Sequence, residues 1–159
     1  MSGYFALAPR PIAPEDAAGA HQLLVRRLGV TPYIDRAVEI LTLAERGDDP
    51  EHRAYVVARD RTVAGLALFG AIAGTDAGYK LHALVVESRD KDVGARLLDA
   101  VVITVAGMRG RYLIAELADE PALASTIGLL RDGGFAEAGR IPDYFRDGVP
   151  LAILRRDLP

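Results

Sequence analysis

The 159 residues suffice for one domain that buries its core without staples, and because half of them are hydrophobic a disordered chain is excluded. No cysteine is present, which rules out disulfides, thiolate metal sites and cysteine nucleophiles and fits a cytoplasmic protein. The formal charge of −3 gives no general attraction to nucleic acid or to an anionic membrane surface, and no apolar run approaches the roughly 20 residues of a membrane helix.

The first residues, MSGYFALAPRP, lack the basic segment and long apolar run of a signal peptide. A short strand should follow, then a helix starting near Pro14-Glu15-Asp16 and stopping at Gly29, since proline and acids suit a first turn and glycine a stop. A second helix is expected from about Asp35 to Ala44, with Ile34, Val38, Ile40 and Leu41 on one face. After the break at Gly47-Asp48-Asp49-Pro50, RAYVVARDRTVAGLALFG reads as two strands joined by a tight turn at Asp60-Arg61. AGTDAG is a loop and YKLHALVV a third long strand.

From Gly94 onward, Leu97, Leu98, Val101, Val102 and Val105 repeat at helical spacing, ending near Gly107–Gly110. RYLIAEL is another strand, Pro121 to Arg131 a helix stopped by Gly133-Gly134, and FAEAG and VPLAILRR are the last strands. The order β-α-α-β-β-β-α-β-α-β-β predicts one α/β (α+β) domain with a mixed sheet of six or seven strands and about four helices. His21, His52 and His82 show no metal-ligand spacing, so no metal is expected.

Residues 85–98 read VVESRDKDVGARLL, a strand running into a helix through polar residues and a glycine. Such a turn commonly holds a phosphate, because the first N–H groups of a helix are unpaired and lie at its positive dipole end. Asp90 and Asp92 carry the wrong sign for that ligand. The stretch therefore reads as a cradle, a compromised cradle or an ordinary turn.

The element order and this turn together resemble the GNAT superfamily of acyl-CoA-dependent N-acetyltransferases, whose fourth strand leads into a Q/R-x-x-G-x-G/A turn opening the third helix. RDKDVG supplies Arg89 at the first position and Gly94 at the last, while Asp92 replaces the inner glycine. Downstream, ELADEPALASTIGLLRDGGFAEAGRIPDYFRDG is similar to a GNAT subgroup with a strand-end glutamate, a helix ending F-Y-E-K-x-G-F, and then R-I-P-D-F-Y. Glu116 matches the glutamate, Leu129-Leu130 stand for the Phe-Tyr pair, Gly134-Phe135 match Gly-Phe, and Arg140 to Phe145 match the last segment. The resemblance covers about residues 10–158.

The resemblance implies a GNAT-like domain over residues 1–159 that transfers an acetyl group from acetyl-CoA to a primary amine of a small molecule or a protein. The alternatives are a catalytically idle GNAT-fold protein that binds acyl-CoA, and a structural dimer. The pantetheine arm would lie along Leu84, Val85 and Val86 as a pseudo-strand, and the pyrophosphate over Lys91, Asp92, Val93, Gly94 and Ala95, with Arg89 and Lys91 adding charge. Gly94 reads either as a plain glycine at the helix start or as the point of closest backbone approach to phosphate.

Glu116 is the candidate base, with a solvated edge-strand carboxylate as the alternative. The tyrosine acid often found in the fourth helix is here Leu130, so Tyr144 is the candidate substitute, with a half-buried packing aromatic as the alternative. His82 reads as a sheet histidine. Arg26, Arg27, Tyr33, Asp143 and Tyr144 are candidates for the acceptor pocket, and a homodimer is among the expected assemblies.

Overall fold

The computed structural model describes residues 8–29, 33–87 and 91–159, with the backbone alone at Lys91. Chain order runs β1 (Arg10–Pro11), α1 (Ala17–Leu28), α2 (Ile34–Ala44), β2 (Arg53–Arg59), β3 (Thr62–Ala71), β4 (Gly78–Val86) and α3 (Lys91–Gly107). It continues with β5 (Tyr112–Ala118), α4 (Ala124–Asp132), β6 (Ala136–Arg146) and β7 (Val149–Asp157), and 3-10 turns at Pro14–Asp16 and Pro121–Leu123 lead into α1 and α4. The element order is the one the sequence predicts, and the described residues fold as a mixed sheet of seven strands with four α-helices.

Local chemistry accounts for most boundaries. Ahead of α1 the buried Asp16 carboxylate accepts the Ala13 N–H at 2.8 Å and both guanidinium nitrogens of Arg10 at 2.6 and 2.9 Å. The hydrogen bonds from Arg10 hold that carboxyl below its ordinary value. Asp60 and Arg61 both take positive φ, 50° and 67°, the twist that a two-residue hairpin between β2 and β3 demands. On α2 the fully buried positions are Ala37, Ile40, Leu41 and Ala44, with Ile34 and Val38 flanking them, so the core stripe sits slightly off the expected face.

Two expectations shift. The helix expected from Gly94 already begins at Lys91, one turn earlier. The strand expected to end with FAEAG runs on to Arg146, because the ladder with β7 skips residues and then resumes at Arg146↔Val149. Pro142 has no N–H to give that ladder, and Asp143 takes a φ of 52°, so the chain bulges there without leaving the strand.

The strands lie in the order β1-β2-β3-β4-β5-β7-β6, every pairing antiparallel except β4–β5. Alternation along the strands fills two cores. Val56, Leu66, Leu68 and Val85 face α1 and α2, while Val57, Ala67, Phe69 and Leu84 face α3 and α4. Gly65 lets α3 approach closely, since a Cβ there would stand 2.6 Å from Val93 Cγ1 and 2.7 Å from Leu97 Cδ1.

The feature that shapes the candidate site is the parallel joint. β4 and β5 pair only through Gly78↔Tyr112, Tyr79↔Leu113 and Lys80↔Ile114. β4 then stays with β3 as far as Val86↔Gly65, while β5 stays with β7 as far as Ala118↔Leu151. The two halves of the sheet part like a V, leaving the facing backbone edges beyond residues 80 and 114 without a strand partner among the described residues.

Candidate active site

The V opens into a cavity of about 340 Å³, lined by Lys80 to Val85 of β4 (apart from Leu81), Glu116 to Ala118 of β5, Tyr33 and α2 residues, and Tyr144 and Phe145 of β6. Glu116 comes from an outward position of β5 and is half exposed, and its Oε2 accepts a hydrogen bond from Lys80 Nζ at 3.0 Å across the mouth of the joint. A carboxylate keeps lone pairs beyond the one that Lys80 uses. Tyr144 reaches the cavity through the bulge at Pro142-Asp143, and its ring is more than half exposed. Phe145 stands edge-on between Tyr144 and Tyr33, with centroids 5.0 and 5.1 Å away.

Tyr33 is anchored from behind. Its O–H donates to Glu120 Oε1 at 3.1 Å, and Arg146 donates to the other oxygen of the same buried carboxylate. Burial, with Glu120 beside it, pushes the Tyr33 phenol up to about 12, so it remains a hydrogen-bond donor throughout the working range.

His82 lies in the wall of the cavity at an irregularity of β4. Leu68 pairs with Ala83 and Phe69 with Leu81, so His82 is the extra residue of a bulge. Its Nε2–H donates to the Glu51 carbonyl at 3.2 Å, and its ring stacks on His52 with centroids 5.7 Å apart. Burial depresses the imidazole to about 4, the Glu51 carbonyl opposing and Lys80, His52 and Arg36 assisting. The ring is neutral near pH 7. On the far side of this stack Asp49, Glu51 and His52 offer three ligand-type atoms within 4.8 Å of one another, but His52 Nδ1 is already hydrogen-bonded to Asp49 at 2.7 Å.

Of the residues expected along the donor, Leu84 and Val85 are buried and Val86 partly buried, all on the unpaired edge of β4. Arg89 and Asp90 lie outside the described residues, and of Lys91 only the backbone is described. Asp92 and Ala95 are exposed in the first turn of α3, whereas the Val93 side chain is buried against Gly65, leaving its backbone as the part a ligand could meet. Gly94 faces inward: a Cβ there would stand 2.6 Å from Leu129 Cδ2 and 3.5 Å from Val86 Cγ1. Its lack of a side chain serves the α3–α4 contact. Gly94→Val is expected to lower stability by about 2 kcal/mol through overpacking, read from the urea midpoint.

Leu130, at the place of the family's tyrosine, is fully buried core. Of the candidates for the acceptor pocket, Tyr33 and Tyr144 line the cavity. The others do not: Arg26 pairs with Glu87 at 2.6 Å on the surface, Arg27 is solvated, and Asp143 closes a turn by accepting the Gly148 N–H at 2.7 Å. Sequence reasoning missed Lys80, Arg36 and Thr126 on the cavity wall. The Lys80–Glu116 pair joins parallel strands through a register that no local pattern encodes.

No protein-family model and no curated protein matches the chain by sequence. Solved structures do match by shape. A GNAT-family acetyltransferase structure from Desulfovibrio desulfuricans superposes with a TM-score of 0.80 at 26% identity, covering 94% of this chain and 98% of the other. An aminoglycoside 6'-N-acetyltransferase from Enterococcus faecium gives 0.74 at 18% identity over 95% and 97% of the two chains. A ribosomal-protein-alanine N-acetyltransferase from Brucella melitensis gives 0.76 at 19% identity over 94% and 99%. With the splayed β4–β5 joint and the matching element order, these likenesses show that the chain carries the GNAT superfamily fold.

Proposed function

We propose that this protein is an N-acetyltransferase that moves an acetyl group from acetyl-CoA to a primary amine of a small molecule or protein. The observation that carries the reading is the opened joint: backbone edges without a strand partner border a cavity, and α3 starts at the end of β4. A pantetheine arm, with its two amides, fits an edge that lacks a strand partner. The first N–H groups of α3, on Lys91, Asp92 and Val93, suit a pyrophosphate. Acetyl-CoA would supply the activated acyl group; the chain's own residues handle the proton and the placement. Glu116 takes the proton leaving the amine nitrogen, directly or through a water, and the Tyr144 O–H protonates the departing sulfur.

Calorimetric titration with acetyl-CoA, followed by release of the free thiol against a panel of amines, tests this. Binding with no thiol release from any amine would leave an acyl-CoA-binding protein without transferase activity. No binding would refute the reading altogether.

The exposure of Asp92 sets the size of its effect on such a ligand. A carboxylate about 6 Å from a pyrophosphate costs about 3 kcal/mol at an effective dielectric near 20, but only about 0.7 kcal/mol in a water-like environment. Since Asp92 stands in solvent, Asp92→Asn is expected to tighten acetyl-CoA binding about threefold at low salt, the gain fading as salt rises. Equal affinities at low salt would show that the carboxylate acts on the helix alone.

A further inference from the structure

The charges around the acceptor end of the cavity narrow the choice of amine. Its described walls are an aromatic face of Tyr33, Tyr144 and Phe145, with Arg36 of α2 on the same cavity. Glu116 is the acidic residue among the described lining residues, and Lys80 already holds it at 3.0 Å. The nearby Glu120 is buried under Arg146 and the Tyr33 O–H. A polycation therefore meets one carboxylate, already shared with Lys80, and the further positive charge of Arg36. Arg36 is differently placed: its partner Glu39 lies 2.9 Å away in an i,i+3 pair with both side chains more than 60% exposed. Such pairs contribute little, so the guanidinium can turn to a better anion at small cost. A bidentate carboxylate is the anion a guanidinium fork matches best.

Building on the acetyl-transfer reading, we propose that the acceptor is a small primary amine on an apolar or aromatic body that also bears a carboxylate, recognised by Arg36 and the Tyr33–Phe145–Tyr144 face. The aromatic face takes the apolar body, the guanidinium takes the carboxylate, and the like charges of Arg36 and Lys80 disfavour polyamines.

Phenylalanine, phenethylamine and spermine form a matched set of probes. Their binding to the protein alone is measured by saturation-transfer NMR titration, independently of any acyl donor. Phenylalanine is expected to bind about tenfold more tightly than phenethylamine, the worth of one charge-assisted contact, with spermine the weakest. Arg36→Gln, at an exposed position of α2, should bring the phenylalanine-to-phenethylamine ratio close to one. Tightest binding by spermine, a ratio near one in the parent, a ratio untouched by Arg36→Gln, or no binding by any of the three would each overturn the proposal. Failure of the acetyl-transfer reading shows elsewhere, in the acetyl-CoA titration. A protein that binds acetyl-CoA and acetylates spermine keeps the reading and loses this inference.

Discussion

Replacing Glu116 with glutamine should lower the rate of acetyl transfer by about 100-fold or more, while acetyl-CoA affinity stays within about twofold. Glutamine keeps the size of the side chain and one acceptor oxygen for Lys80, so the wall of the cavity is preserved. What it removes is the basic site. A general base accounts for about two to four decades of rate, and because it acts mainly in the transition state its loss falls on kcat rather than on donor binding. The companion variant Tyr144→Phe should slow the reaction more modestly, since water can reach the same exposed site and donate in its place. A Glu116→Gln protein with the parent's kcat would return that carboxylate to a role as Lys80's ion-pair partner. Full turnover in Tyr144→Phe would leave the ring as part of the apolar wall.

The second large effect is on stability in mild acid. Well above pH 6.5, the ordinary imidazole value, His82 is neutral in both the folded and the unfolded chain and contributes nothing to the pH dependence. As pH falls, the unfolded chain takes up the proton first, because burial holds the folded imidazole at about 4. Between those values the folded state loses about 1.4 kcal/mol per pH unit. By pH 4.5 the deficit reaches about 2–3 kcal/mol, a large share of the stability of a domain of this size. His82→Gln, which keeps an N–H for the Glu51 carbonyl, should flatten that part of the profile. Urea unfolding of both proteins at pH 7 and pH 4.5 reads the difference directly; equal losses would mean that the folded ring accepts its proton at an ordinary pH. Asp16 acts in a lower window. Its carboxyl is held down by Arg10, so its contribution is full above the ordinary carboxylate value and is lost only as pH drops through the lowered one.

Most of the fold could be read from the sequence because its signals are local. Spacing of three and four residues in Leu97, Leu98, Val101 and Val105 marks α3, and the polar pair at Asp60-Arg61 between two apolar runs marks a hairpin. Where the reading slipped, a local signal was overruled by a partner distant in sequence. Pro142 looks like the end of a strand, yet β7 resumes its pairing at Arg146, and the skipped residues carry Tyr144 and Phe145 to the cavity. Neither of the two readings of Gly94 foresaw that the space beside it is filled by Leu129 from α4. Glu116 was legible as a strand-end carboxylate, but its Lys80 partner was not, since 36 residues separate them and only the parallel register brings them together.

That short parallel register also has a consequence for how the chain acquires its site. β1 to β4 with α1, α2 and α3 are contiguous in sequence, and so are β5 to β7 with α4. Within each portion β2–β3, β3–β4 and β6–β7 are sheet neighbours consecutive in the chain, whereas the portions meet in the sheet through three residue pairs. Closing the α3 crossover has to precede any reward from those pairs, which makes this the entropically expensive step of assembly. The open edge of β4 and the carboxylate on β5 therefore come into register late, after each has been set by its own neighbours. A chain that has formed all its helices and hairpins can still lack the cavity at the joint.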